Sequence, residues 1–131
     1  MKKKLKICIV RSMYNSTFEL FQNANRELEK KNITASVIKV PGAFEIPVMI
    51  ARNIKKYDGF IALGCVIKGE TPHFDFISQA TIDAIMKLSI DYKKPIGNGI
   101  ITSLNKLQAV YRSKKKGGEA ANAVIKVLDN F

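Results

Sequence analysis

Hydrophobic and polar positions recur along this chain in two periods, one suited to strands and one to helices. Lys6 to Val10 is a short β-branched apolar run, which predicts a strand buried on both faces. Ser16-Thr17-Phe18-Glu19 reads as a capping box opening a helix, with Ser16 capping the Glu19 amide while Glu19 reaches back. Phe18, Phe21, Ala24 and Leu28 then mark one helical stripe ending near Lys31-Asn32, and Ile33 to Val40 returns to strand character. Pro41-Gly42-Ala43 breaks that strand. Pro47 suits the first turn of a second helix, which carries Ile46, Met49, Ile50 and Ile54 inward and ends at Tyr57-Asp58-Gly59. Phe60 to Ile67 is the strongest strand pattern. The loop Lys68 to His73 leads to a long helix with Phe74, Ile77, Thr81, Ile85 and Leu88 on one side. Pro95 to Thr102 predicts a fourth strand, followed by a shorter helix around Leu104, Leu107 and Tyr111. The basic turn Ser113 to Gly118 precedes a last helix using Ala121, Val124, Ile125 and Leu128.

Strands alternating with helices predict an α/β fold, a four-stranded parallel sheet flanked by helices on both faces in three layers. The crossovers are then right-handed. A length of 131 residues predicts one domain, spanning 1–131. In such sheets a ligand sits beyond the carboxyl ends of the strands. That points to the loops Arg11 to Ser16, Pro41 to Glu45, Lys68 to His73 and Thr102 to Asn105, where the unusual residues also collect.

Composition narrows the class. With 47% hydrophobic and 25% charged residues the chain is neither disordered nor collagen-like. No apolar run approaches the roughly 18 residues of a membrane span. Met1-Lys2-Lys3-Lys4 looks like the start of a signal peptide, but the apolar stretch behind it, Ile7 to Val10, is too short, so a soluble cytoplasmic protein is expected. Cys8 and Cys65 form no C-x-x-C pair and are read as buried reduced thiols. With His73 the sole histidine, no zinc-ligand spacing exists. The net charge of +11, from 22 Lys and Arg against 11 Asp and Glu, raises nucleic acid as a partner. Along the sequence, however, the lysines fall in ones and twos (Lys30-Lys31, Lys55-Lys56, Lys93-Lys94), with only Lys114-Lys115-Lys116 and the N-terminal run longer. Such charge is read as a solvated face or as a positive field that gathers small anionic substrates.

The loops carry candidate chemistry. Arg11 to Ser16 contains neither the glycines of a dinucleotide turn nor a Walker pattern, which argues against nicotinamide and nucleoside triphosphate chemistry. Tyr14 puts an aromatic ring at a strand end, where it either stacks on a flat heterocycle or covers the sheet edge. Glu45, between Pro41 and Pro47, lies near a helix N-terminus; the dipole favours a carboxylate there, and a polyol would find an acceptor in it. Gly69-Glu70-Thr71 precedes the long helix, where backbone amides and a Thr hydroxyl suit a phosphate. His73 is either a helix-start surface residue or the group that moves protons for whatever binds there.

Three segments together resemble the lumazine synthase family: Val40-Pro41-Gly42-Ala43-Phe44-Glu45-Ile46-Pro47, Leu63-Gly64-Cys65-Val66-Ile67-Lys68-Gly69-Glu70-Thr71-Pro72-His73-Phe74-Asp75, and Lys116-Gly117-Gly118-Glu119-Ala120-Ala121. Gly99-Ile100-Ile101-Thr102 and the spacing to Arg112 also fit, so the likeness runs from Ile7 to about Leu128. It implies a flavodoxin-like three-layer sandwich. It also implies condensation of 5-amino-6-(D-ribitylamino)uracil with 3,4-dihydroxy-2-butanone 4-phosphate, without cofactor or metal. By the same resemblance Tyr14 stacks on the pyrimidine, and Ala43, Phe44 and Glu45 line the ribityl chain. Cys65, Val66 and Ile67 offer backbone groups to the ring, Glu70, Thr71 and Arg112 hold the phosphate, Lys116 lies near the substrate, and His73 transfers protons.

The chain also departs from the family. Asn98 stands where relatives often carry a phenylalanine contributed by a neighbouring subunit, and an amide stacks less well on a heterocycle. The turn between Arg112 and Lys116 is shorter than in many relatives, and Glu70 brings a charge beside the phosphate, so its amide is the expected contributor. The first strand begins almost at once, without the extension of capsid-forming members. The resemblance therefore implies a homopentamer whose site lies between subunits, with a sixty-subunit shell as the alternative. Two rival readings are a member that binds lumazine or flavin without making it and a small basic nucleic-acid-binding protein. His73, Thr71 and Arg112 argue against the first, and the three segments against the second.

Overall fold

A computed structural model describes residues 4–130; residues 1–3, the start of the N-terminal lysine run, and residue 131 lie outside the described part. Four strands, β1 (Ile7–Ser12), β2 (Ser36–Val40), β3 (Gly59–Ile67) and β4 (Ile96–Ser103), alternate with α1 (Phe18–Glu29), α2 (Ile46–Arg52), α3 (His73–Tyr92), α4 (Lys106–Arg112) and α5 (Lys116–Leu128). All pairings are parallel, in the order β2-β1-β3-β4. The expected α/β architecture is therefore present, and its order reverses between β1 and β3, the switch point of a doubly wound sheet.

Alternation along the strands divides the core into two layers. Ile7, Ile9, Ile61, Leu63 and Ile101 pack under α1 and α5, against Leu20, Ala24, Leu28, Ala121 and Val124. Cys8, Val10, Phe60, Ala62 and Ile100 face the other way, toward Ile46, Ile50 and Ile85 of α2 and α3. No described helix is long and apolar enough to cross a membrane.

Several local expectations shift. The α1 capping box does not form: Thr17, not Ser16, precedes the helix, and its hydroxyl donates to the Ser12 carbonyl at 2.6 Å while accepting from Arg11 Nε at 3.2 Å. The buried stripe of α1 is Leu20, Asn23, Ala24 and Leu28. Phe18 is exposed, while Phe21 packs against the core as expected; both rings lie beside the Arg11 guanidinium, 5.9 and 5.2 Å from their centroids, in cation–π contact. Leu104, Leu107 and Tyr111 flank or form α4 as expected but point outward, leaving Ala109 as its buried residue.

Topology also regroups the charge. Lys30-Lys31, Lys55-Lys56 and Lys93-Lys94 each stand just before a strand, so a parallel sheet carries all three doublets to one end, opposite the strand-to-helix loops. What is scattered in sequence is gathered in space.

Candidate active site

At the switch point, the chain ends of β1, β2 and β3 surround a hollow of about 760 Å³. Its walls include Tyr14 and Asn15 after β1, Gly42 to Glu45 after β2, Cys65 to Ile67 at the end of β3, and Thr71 and His73 at the start of α3. The turn after β1 is anchored through its backbone, since Met13 N–H donates to Val40 O at 2.9 Å and Tyr14 N–H to Pro41 O at 2.8 Å. Tyr14 itself is 76% exposed, so its ring hangs over the hollow with little protein around it. Phe44 is likewise exposed on the opposing loop. An aromatic left this open is available to stack on a planar ligand.

Asn15 holds this corner, and sequence reasoning did not single it out. It adopts a left-handed φ of 60°, which asparagine tolerates, and its Nδ2 donates to Cys65 O at 3.1 Å, tying the β1 turn to β3. Only the dipeptide Tyr14-Asn15 at a strand end signals such a turn in the sequence. Gly69, expected in the anion loop, also lines the wall, as do Gly42, Phe74 and Ile77, which the sequence pattern placed only as parts of a strand break and a helix face.

Glu45 closes a short 3₁₀ turn, Ala43–Glu45, and its Oε1 accepts from Gly42 N–H at 2.8 Å. That fixes the carboxylate while its remaining lone pairs stay free for hydroxyl donors. Pro47 lies in the first turn of α2 as expected, where its missing N–H costs nothing. The Cys65 side chain belongs to the core beneath α1 and α5, so its backbone is the polar surface it can offer. Both cysteines are free and buried, matching the reading of reduced thiols. Burial pushes the Cys65 thiol up and that of Cys8 up to about 11, the latter against the pull of a Tyr57 hydrogen bond.

His73 opens α3, exposed, with its N–H donating to Thr71 Oγ1 at 3.3 Å. Thr71 therefore already serves one helix-start amide, and Glu70, exposed in the same loop, lines no described cavity wall.

The other candidates lie elsewhere. Asn98, Arg112 and Lys116 line a second cavity of about 540 Å³, with Thr102, Lys114 and Glu119, beside the edge strand β4. Asn98 Oδ1 accepts from Ile100 N–H at 3.1 Å, and Arg112 Nη1 donates to Thr102 O at 2.8 Å, so both side chains meet backbone groups of that edge. Within one chain Arg112 and Lys116 do not share a cavity with His73.

Comparison with known proteins bears on the fold and the family. A split-gene transketolase aligns over 96% of this chain and 40% of its own, with TM-score 0.53 and 16% identity, a likeness of fold alone. The lumazine synthase of Agrobacterium fabrum is 46% identical over 84% of this chain and 82% of its own, and that of Bartonella tribocorum 40% over 95% and 89%. The family model for 6,7-dimethyl-8-ribityllumazine synthase matches residues 4–131, which takes in all four strand ends and both cavities. The chain belongs to the 6,7-dimethyl-8-ribityllumazine synthase family.

Proposed function

We propose that this chain joins 5-amino-6-(D-ribitylamino)uracil to 3,4-dihydroxy-2-butanone 4-phosphate, giving 6,7-dimethyl-8-ribityllumazine, phosphate and two waters, the penultimate step of riboflavin biosynthesis. The carrying observation is the hollow at the β1–β3 switch. It combines an open aromatic ring, a fixed carboxylate, strand-end backbone groups, and a threonine and histidine at a helix start.

In this reading Tyr14 stacks on the pyrimidine and Cys65, Val66 and Ile67 hold it by backbone. Ala43, Phe44 and Glu45 receive the ribityl chain, with Glu45 accepting from its hydroxyls. Glu70, through its amide, and Thr71 take the phosphate. The substrate amine attacks the ketone carbonyl, and water leaves to form an imine. Phosphate is then eliminated, and the second amine closes the ring on the remaining carbonyl with loss of a second water. His73 moves the protons, a contribution of about 10²–10⁴-fold, while positioning supplies the rest. No cofactor or metal enters.

Arg112, Asn98 and Lys116 complete the site from an adjacent copy. The separation of the two cavities supports this, since the cations that pair with phosphate do not line the His73 hollow of their own chain. The assembly proposed is a cytoplasmic homopentamer, a closed ring of head-to-tail contacts. Mixing the two substrates with purified protein should produce the lumazine chromophore in proportion to protein. Absorbance no faster than the uncatalysed background would overturn the reading.

A further inference from the structure

Helix α5 begins without a cap of its own. The residue before it, Lys115, offers no acceptor, and its side chain makes no capping hydrogen bond. Helices leave their first amides unsatisfied unless a partner is found. Here the partner comes from another helix: Asn23 of α1 accepts from Gly118 N–H through Oδ1. The same side chain donates through Nδ2 to Ser113 O at 2.7 Å, at the other end of the turn, and to Glu19 O at 2.7 Å on its own helix. Asn23 is 7% exposed, so these bonds are made away from water. The approach depends on Gly117, where a β-carbon would run into the Leu20 carbonyl and Asn23 Oδ1.

One amide therefore clamps both ends of the segment from Ser113 to Gly118. That segment carries Lys114, Lys115 and Lys116 and follows directly on Arg112, all lining the second cavity. A lysine turn of this charge repels itself; its local bonds, such as Lys114 N–H to Tyr111 O at 3.4 Å and Lys115 N–H to Arg112 O at 3.3 Å, are long, and Asn23 is the side chain that ties it to another helix. We propose that Asn23 is a positioning residue for the phosphate half of the site, setting Arg112 and Lys116 at their working distance by capping α5 from α1. The inference rests on the reading that Arg112 and Lys116 face the phosphate of a neighbouring copy's substrate.

The test pairs a measure of the turn with a measure of binding. In Asn23→Ala, trypsin should cut the native assembly after Lys114, Lys115 or Lys116 at least several-fold faster than in the parent. KM for the butanone phosphate should rise, by up to roughly 100-fold if the cations move by about 1 Å, with KM for the aminouracil unchanged. Leu28→Ala serves as the control, because Leu28 is fully buried in the same α1–α5 layer, more than one helical turn beyond Asn23 along α1. It should lower stability and leave both measures at parent values. Should Asn23→Ala fail to fold, Asn23→Asp keeps the acceptor for Gly118 N–H and removes the donor to Ser113 O, and should give the same changes in smaller degree. Unchanged trypsin cleavage, or equal changes in Leu28→Ala, would overturn the proposal whatever the turn binds. Faster cleavage with an unchanged KM for the butanone phosphate would instead show that the turn is ordered by Asn23 but is not where phosphate is held, and the proposed role would fall with that part of the reading.

Discussion

Single side chains here act through where the strand ends leave them. His73 is exposed at the first residue of α3 and binds its loop only through its backbone N–H, so its imidazole is free to serve the reaction. His73→Ala should lower kcat by about 10²–10⁴-fold while pyrimidine affinity, measured by titration with the aminouracil alone, stays near the parent value. Unchanged turnover at saturating substrate would remove the assignment. Arg112→Ala should raise KM for the butanone phosphate roughly 10–150-fold, the worth of a charged hydrogen bond, with little effect on the aminouracil. Equal effects on both substrates would make Arg112 a structural residue of the β4 edge. Cys8 offers a pH test. Its folded pKa, raised by burial to about 11 from 9.0, means that the folded protein holds this proton after the unfolded chain has lost it. The stabilisation is complete below pH 9 and is lost as pH rises from 9 to 11, at up to about 1.4 kcal/mol per pH unit. Denaturant unfolding across that window should show the parent losing stability faster than Cys8→Ala; parallel curves would mean that burial does not hold the proton.

Elements were legible wherever one residue pattern had one physical cause. The apolar strand β3 and the inward set Ala121, Val124, Ile125 and Leu128 of α5 follow from burial alone, and periodicity finds them. The stripe of α1 holds at Phe21, Ala24 and Leu28, which face the core, but Phe18 lies exposed beside Arg11, and Leu20 and a polar residue, Asn23, fill the rest of the buried face. A hydrophobicity count sees neither the guanidinium nor the partner helix. The wall residues from β2 and β3 were legible as motifs, but Asn15 was not, since its role lies in a hydrogen bond to Cys65, fifty positions away. Packing of α5 on β4 gives the prediction at this scale. A β-carbon on Gly97 would strike the Ala120 carbonyl and lie 2.9 Å from Val124 Cγ2. The obstacle is partly backbone, so it cannot simply rotate away. Gly97→Ala should cost about 1–3 kcal/mol, read as a lower urea midpoint at constant m-value. A stability equal to the parent's would mean that α5 can lift off β4 freely, and the second cavity would not be a fixed shape.

At the scale of the molecule, a single copy leaves too much apolar surface in water. On α4, Leu107 and Tyr111 are 80% and 75% exposed, and on α3 Phe76 and Ile90 are 69% and 65% exposed. Large exposed apolar groups gathered on two helices mark an interface more readily than a solvated face. The Leu107–Tyr111 surface adjoins Arg112, so a neighbour that covers it also approaches the cavity lined by Arg112 and Lys116. Covering the apolar face and completing the site then become one event, and activity should depend on assembly. With +11 per chain, rings of the proposed kind would repel one another, which disfavours further packing into a shell. Light scattering on purified protein should therefore give a mass about five times 14.6 kDa. Leu107→Glu would place a carboxylate on the covered face; it should shift the mass toward the monomer and lower activity in step, with the loss reversed at higher protein concentration. A monomeric parent with full activity would remove the shared site, and a mass near a megadalton would show that the charge does not prevent the shell.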